Sequence, residues 1–376
     1  MTYHADLAPR RSHWLIAAPL IILLVLAGVW SGVWFYAAGA AEARINDWQA
    51  QQAKAGRTFA CGTQTVGGFP FRIEVRCANA AVELKDTQPA LALKLKEILV
   101  VAQIWDPKLL IAEFTGPLSV SDPGQPPYAN ASWTLAQASV RGTPSQPERA
   151  SIALDNLKVD AGVAGSPPLF DSKHAEFHAR VQFGSWPHNP AVDLAVNLKG
   201  AIAPTLGSYT RDPLDADILA VLHGVKDMAP KPMATRLREW QAAGGKLEIQ
   251  NARLAQGDAL ATGTGVLALN QQGRLDGALQ VAAAGIERYI PMPGGASGSP
   301  LSLDRAAPAL NAIDRAVPGL GARLAPQAQT LQAGLLGLLG KPVDIEGKRG
   351  VSVPVRFNNG AATIGPIPVG QVPPVF

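Results

Sequence analysis

The chain has 376 residues, of which 16% are charged, 37 are glycine and 31 are proline, and its formal net charge is +4. A charge this small, scattered outside the N-terminus, excludes a nucleic-acid-binding surface, and no nucleic-acid partner is expected. So many turn formers argue for short strands and against a helical bundle.

The first element is the uncharged run Trp14–Ala38, centred on Leu20-Ile21-Ile22-Leu23-Leu24-Val25-Leu26. At about 1.5 Å per residue it can cross a hydrocarbon core of roughly 30 Å. Arg10 and Arg11 precede it, and Trp30, Trp34, Phe35 and Tyr36 close it. Basic residues on entry and aromatics at the exit predict a single-pass inner-membrane helix with a cytoplasmic N-terminus. Trp14, Leu23, Leu24, Trp30, Trp34 and Tyr36 are its expected anchor residues, and the rest of the chain is expected in the periplasm. A cleavable signal peptide also has a basic start, an apolar middle and small residues after it, here Ala37 to Ala41. Its apolar region runs only about 7–15 residues, so the length favours a retained anchor. Pro19 sits in the first turns, where a missing N–H costs little.

Ala40–Lys54 keeps helical character, with Ile45 and Trp48 on one face, and reads as a stalk that stops at Gly56. Cys61 and Cys77, the two cysteines, follow just beyond it. On the exported side a disulfide is the natural reading. A metal pair or a redox pair fits less well, because there is no CxxC and no nearby histidine.

From residue 57 the period changes to two. In Phe71–Cys77, residues Phe71, Ile73, Val75 and Cys77 face one side, and Arg72, Glu74 and Arg76 face the other. Further strands are predicted over 91–105 (broken near its middle), 109–120, 131–140 and 150–159. Turn clusters such as Asp122-Pro123-Gly124 separate them. Pro167-Pro168 marks a midpoint, and strands resume over 173–183 and 191–202. Two helices are then expected. Asp215–Gly224 has Asp215 as its N-cap and Ile218, Leu219 and Leu222 as its stripe; Met233–Ala243 carries Leu237 and Trp240. Strands return over 246–254, 259–270 and 274–283. Residues 301–340 read as helical in parts, with 332–341 as a core helix too short to span a bilayer. A last hairpin pairs 351–357 with 361–367 around Asn358-Asn359-Gly360.

The expected organisation is a cytoplasmic tail (1–13), a transmembrane helix (14–38), a stalk (39–56) and two β-rich halves (57–166 and 167–376). The fold class is mostly β, of α+β type: a large antiparallel sheet with several covering helices.

Several residues support a family comparison. Cys61-Gly62, Gly68-Phe69-Pro70-Phe71-Arg72 and Cys77 resemble the start of the uncharacterised, membrane-anchored alphaproteobacterial DUF2125 family. Gly245-Lys246-Leu247-Glu248-Ile249, with Gly263, Gly265, Gly273 and Gly277 after it, resembles the same family. So does the ending Gly360…Gly365-Pro366-Ile367-Pro368-Val369-Gly370…Pro373-Pro374. The resemblance implies a fold and no activity. A looser similarity, to AsmA-like envelope proteins, implies a sheet rolled into a trough that holds acyl chains.

Chemistry is sparse. His174, Glu176 and His178 point one way on a strand, which alternation explains as a solvated face without a metal. Gly295-Ala296-Ser297-Gly298-Ser299 is not a nucleophile elbow, and Gly263-Thr264-Gly265 lacks the third glycine of a dinucleotide loop. Asp155 and Asp160 read as turn or edge residues. No enzyme and no cofactor is expected. Long strands with aliphatic residues at alternate positions need a cover: helices, a second sheet or lipid. The expected role is a non-enzymatic envelope function, binding lipid or another apolar ligand. The alternatives are a scaffold for an envelope protein partner and an enzyme with scattered site residues.

Overall fold

Helix α1 runs unbroken from His13 to Lys54. The computed structural model describes residues 13–87, 89–143, 146–162, 165–185, 190–206, 210–227, 231–286, 340–365 and 367–376. The predicted anchor and stalk are therefore one continuous helix. It ends where expected: Gly56, at φ +82°, takes the left-handed conformation that closes a helix. Leu20 to Leu26 are exposed. The upper part lies along the body, where Trp48 meets Phe59 at 4.6 Å between ring centroids.

Strands β1 (Arg57–Ala60), β2 (Thr63–Gly67), β3 (Arg72–Leu84), β4 (Leu91–Gln103), β5 (Asp106–Ser121) and β6 (Ala129–Ser132) follow. Then come β7 (Leu135–Thr143), β8 (Gln146–Ala161), β9 (Phe170–Val181), β10 (Ala191–Ala201) and β11 (Leu214–His223). Helix α2 (Met233–Ala242) precedes β12 (Lys246–Gln256), β13 (Ala259–Leu269) and β14 (Leu275–Ala284). The chain ends in β15 (Lys341–Ile345), β16 (Lys348–Asn358), β17 (Ala361–Ile364) and β18 (Ile367–Gln371).

All the strands belong to one antiparallel sheet, laid down almost in chain order. β1 and β2 together form one interrupted edge strand on β3. β6 and β7 likewise share the place between β5 and β8. β15 and β17 share one side of β16, whose other side pairs with β14. β8 stays paired to β9 across the Pro167-Pro168 segment. The predicted break in the fourth strand is a register shift between Leu95 and Glu97.

Two expectations change. Asp215–Gly224 is not a helix but β11, held by ladders to β10 and β12. Ala216, Ile218, Ala220 and Leu222 alternate along it, and that period of two outweighs the helical spacing of Ile218 and Leu222. Asp215 caps no helix; its Oδ1 accepts the Gly200 amide at 2.8 Å. Where several helices were expected, α1 and α2 are the two among the described residues. The predicted helical region 301–339 and the Gly295–Ser299 turn lie outside the described residues, and Lys341, assigned above to a core helix, opens β15.

Candidate apolar ligand site

Residues paired across an antiparallel ladder point to the same face, so the register fixes what each face carries. One row crosses twelve strands, β3 to β5, β7 to β14 and β16. It reads Val75, Val100, Ala112, Ala138, Ile152, Phe177, Val196, Ile218, Ala252, Gly263, Val281 and Val353. Every member is apolar. The neighbouring row, two residues along each strand, includes Ile73, Ala102, Leu110, Val140, Ala150, Ala179, Leu194 and Ala220. On the other side of the first row run Leu154, Ala175, Leu198, Ala216, Leu254, Ala261 and Ala283. The apolar residues of separate strands thus join into one continuous face.

The opposite face is richer in polar residues and cross-linked by ion pairs, although Leu99, Val101, Ile111 and Leu219 also lie on it. Arg76 meets Glu97 at 2.5 Å, Arg180 meets Asp193 at 2.8 Å and Lys199 meets Asp217 at 3.1 Å. His174, Glu176 and His178 lie here, as alternation predicted. His174 Nδ1 is 2.6 Å from Asp155 Oδ1, and His178 Nδ1 is 2.9 Å from Ser151 Oγ. Asp155 is therefore neither a turn nor an edge residue: it sits within β8 opposite His174. That contact, with the Glu176 carboxylate beside it, holds the His174 pKa above its ordinary value.

On the apolar face much of the surface is open to solvent: Val140 is 52% exposed and Ile152 46%. Among the described residues α2 is the helix that lies over it. Met233, Leu237 and Trp240 roof a cavity of about 530 Å³ whose floor is Val192, Leu194, Leu222, Leu247 and Leu267. That volume lies within the roughly 300–1,000 Å³ usual for small-ligand sites. Trp240 Nε1 donates to the His223 carbonyl at 2.6 Å. Its ring lies so close to Gly245 that a Cβ there would collide with the indole. At the mouth, Lys231 Nζ bridges Asp227 (2.7 Å) and Glu239 (2.8 Å), tying the preceding loop to the helix. These two carboxylates, Asp227 the stronger, raise the Lys231 pKa. Val375 adds to the lining, and beside it the Arg238 guanidinium stands 5.2 Å from the Phe376 ring centroid. No residue of α2 is buried. It is a light cover, not a core layer.

The predicted Cys61 and Cys77 stand at disulfide distance, with Cα atoms 5.3 Å apart. Cys61 occupies the break between β1 and β2, and Cys77 lies on β3. A bond there ties the interrupted edge strand to its neighbour. The predicted anchor residues divide. Leu23, Leu24 and Tyr36 are exposed, whereas Trp34 is 5% exposed and turned onto the body. Its Nε1 donates to the Arg72 carbonyl at 2.8 Å.

The sequence profile of a family described as an uncharacterized protein conserved in bacteria (DUF2125) matches residues 34–373, nearly the whole chain. The chain belongs to the DUF2125 family. No curated protein and no solved structure matches it. In this DUF2125 protein the punctuating glycines that carried the resemblance hold structural positions. Gly245 leaves room for Trp240, while Gly265 and Gly277 take φ of +148° and +141° within the β13–β14 ladder. A Cβ at either would strike the carbonyl of the facing strand. The pocket floor of this DUF2125 chain escaped sequence reasoning because Leu222 was assigned to a helix. The Ala216-Ile218-Ala220-Leu222 alternation was the signal that could have revealed it.

Proposed function

We propose that this DUF2125 protein is a non-enzymatic, membrane-anchored envelope protein of the periplasm whose apolar sheet face takes lipid acyl chains. The observation that carries this reading is the apolar row from Val75 to Val353, unbroken by a single polar side chain. A soluble sheet normally buries such a face under another layer. Here most side chains along it remain partly open, Val353 being buried, and an exposed apolar surface of this extent marks a binding surface. A sheet this wide also twists and coils, which turns one face into a groove.

α1 supports the same reading. It is long and apolar enough to cross a bilayer by length and composition. Its bare segment 20–29 belongs to the inner membrane in this proposal, with Arg10 and Arg11 on the cytoplasmic side. The contacts at Trp30 and Trp34 are made by Pro70 and Arg72, so the turn before β3 meets the anchor helix. β11 ends and β12 begins at the same strand end of the ladders as the turn before β3, so the α2 pocket lies at that end of the apolar face.

The test is photo-crosslinking in intact cells. Phe177→p-benzoylphenylalanine puts the reactive group on the apolar face, and His178→p-benzoylphenylalanine puts it on the polar face. After growth in radiolabelled phosphate and irradiation, the first should carry labelled phospholipid and the second should not. Equal labelling of both faces, or none at position 177, would overturn the proposal.

A further inference from the structure

Between the end of α1's bare segment and the first edge of the sheet lies a group of aromatic rings that the ligand site does not use. Phe69 and Phe71 stand in the turn joining β2 to β3, and Trp105 stands in the turn joining β4 to β5. They are 52%, 58% and 63% exposed. Phe71, expected to share one face of a strand with Ile73, lies in the turn just before β3 and is exposed. The rings are not scattered. Phe71 lies 6.3 Å from Trp105 and 6.5 Å from Trp30, and Phe69 stacks on Phe35 at 6.1 Å. Three large exposed aromatics on two neighbouring turns form an apolar patch of the kind that monomeric proteins rarely leave in water.

The height of this patch is set by α1. Trp30 Nε1 donates to the Pro70 carbonyl at 2.8 Å, and Trp34 Nε1 donates to the Arg72 carbonyl at the same distance. Both indoles sit in the last turns of the uncharged run that ends at Ala38. From Trp14 to Trp34 the helix rises about 30 Å at 1.5 Å per residue, a full hydrocarbon thickness. Tyr36, 81% exposed, belongs to the same level. Charges begin just beyond the patch and are paired: Arg72 with Glu74, and Asp106 with Arg141. Rings that combine an apolar body with a polar edge are the residues that settle at the boundary between acyl chains and headgroups.

We propose that Phe69, Phe71 and Trp105 form a second membrane contact, inserted in the interfacial layer of the bilayer that α1 crosses. The first edge of the sheet then starts within the headgroup region, and acyl chains can pass onto the apolar face without crossing water. The inference rests on the reading of α1 as a membrane span.

The test uses the full-length protein in vesicles of phosphatidylethanolamine and phosphatidylglycerol. Nitroxide labels are placed one at a time at Phe71→Cys, Trp105→Cys, Leu24→Cys and Lys85→Cys, and collision with oxygen is compared with collision with a water-soluble nickel chelate. Labels at 71 and 105 should favour oxygen, less strongly than the label at 24. The label at 85, at the far end of β3, should favour the chelate. If 24 favours oxygen while 71 and 105 behave like 85, the second contact is overturned and the anchor stands. If 24 itself favours the chelate, the anchor reading fails and takes this inference with it. Brominated acyl chains provide a readout free of introduced cysteine. They should quench part of the tryptophan emission, and Trp105→Phe should lose a share of the quenched component. An unchanged quenched component in a folded Trp105→Phe protein would count equally against the contact.

Discussion

The indole of Trp240 lies against Gly245, and its Nε1 donates to the carbonyl of His223. This one contact joins α2 to the ends of both β11 and β12 and so holds the roof of the pocket. Gly245→Ala should displace the ring, because the added Cβ has no room; overpacking of this kind costs about 1–3 kcal/mol. Trp240→Phe should cost less, near the 0.5–1.5 kcal/mol or so of one hydrogen bond. Chemical denaturation of the two variants would show the order. A Gly245→Ala protein as stable as its parent would mean that α2 is free to shift without cost.

Trp34 makes the corresponding contact at the other helix. Trp34→Ala empties a buried site and removes the bond to the Arg72 carbonyl, and a large-to-small change there costs about 3–5 kcal/mol. The loss should be local, loosening the 67–72 turn from α1. Limited proteolysis in detergent should find new cleavage in that turn, and Trp34→Phe should largely prevent it.

Cys61 and Cys77 should both resist thiol alkylation in unreduced protein from the exported compartment, since both belong to one pair. Replacing both with serine should lower stability by about 3 kcal/mol in the chain-entropy estimate for a loop of roughly 15 residues. Alkylation of either cysteine without reductant would show that the pair is not bonded.

His174 should titrate above its ordinary pKa of 6.5, mainly because of Asp155 and secondarily through Glu176. A histidine whose pKa is raised by folding stabilises the fold fully below the unfolded pKa. That contribution disappears as the pH rises through the folded value. Stability should therefore fall on the alkaline side of pH 6.5, by an amount that Asp155→Asn removes. NMR titration of the His174 ring should show the raised pKa in the parent protein and a lower one in Asp155→Asn. An identical titration in the two would show that Asp155 is not the cause.

Most strands were legible because their signal is local. Alternation over Leu91–Gln103 or Lys246–Gln256 needs no knowledge of a partner strand, and Gly-rich turns mark the ends. Met233–Ala242 was legible through Leu237 and Trp240 at helical spacing. β11 was not: its sequence satisfies both periods, and only the ladders to β10 and β12 choose between them. Trp34 was read as one of the aromatics closing the anchor, and composition gives its depth along the helix but not the direction in which it turns. Phe69 and Trp105 carried no signal, since two turns far apart in sequence meet only when β3 pairs with β4.

The sequence by itself determined an apolar helix of membrane-spanning length, a β-rich body and a cysteine pair beside the helix. Each follows from composition or from a period read along a single stretch. The tertiary structure alone decided that the apolar residues of twelve strands fall on one face, since a shift of one residue in any ladder would turn that strand over. It alone decided that α2 lies over one end of this face and that Trp34 turns inward. Register and contact between distant segments are set by pairing, and no local pattern encodes them.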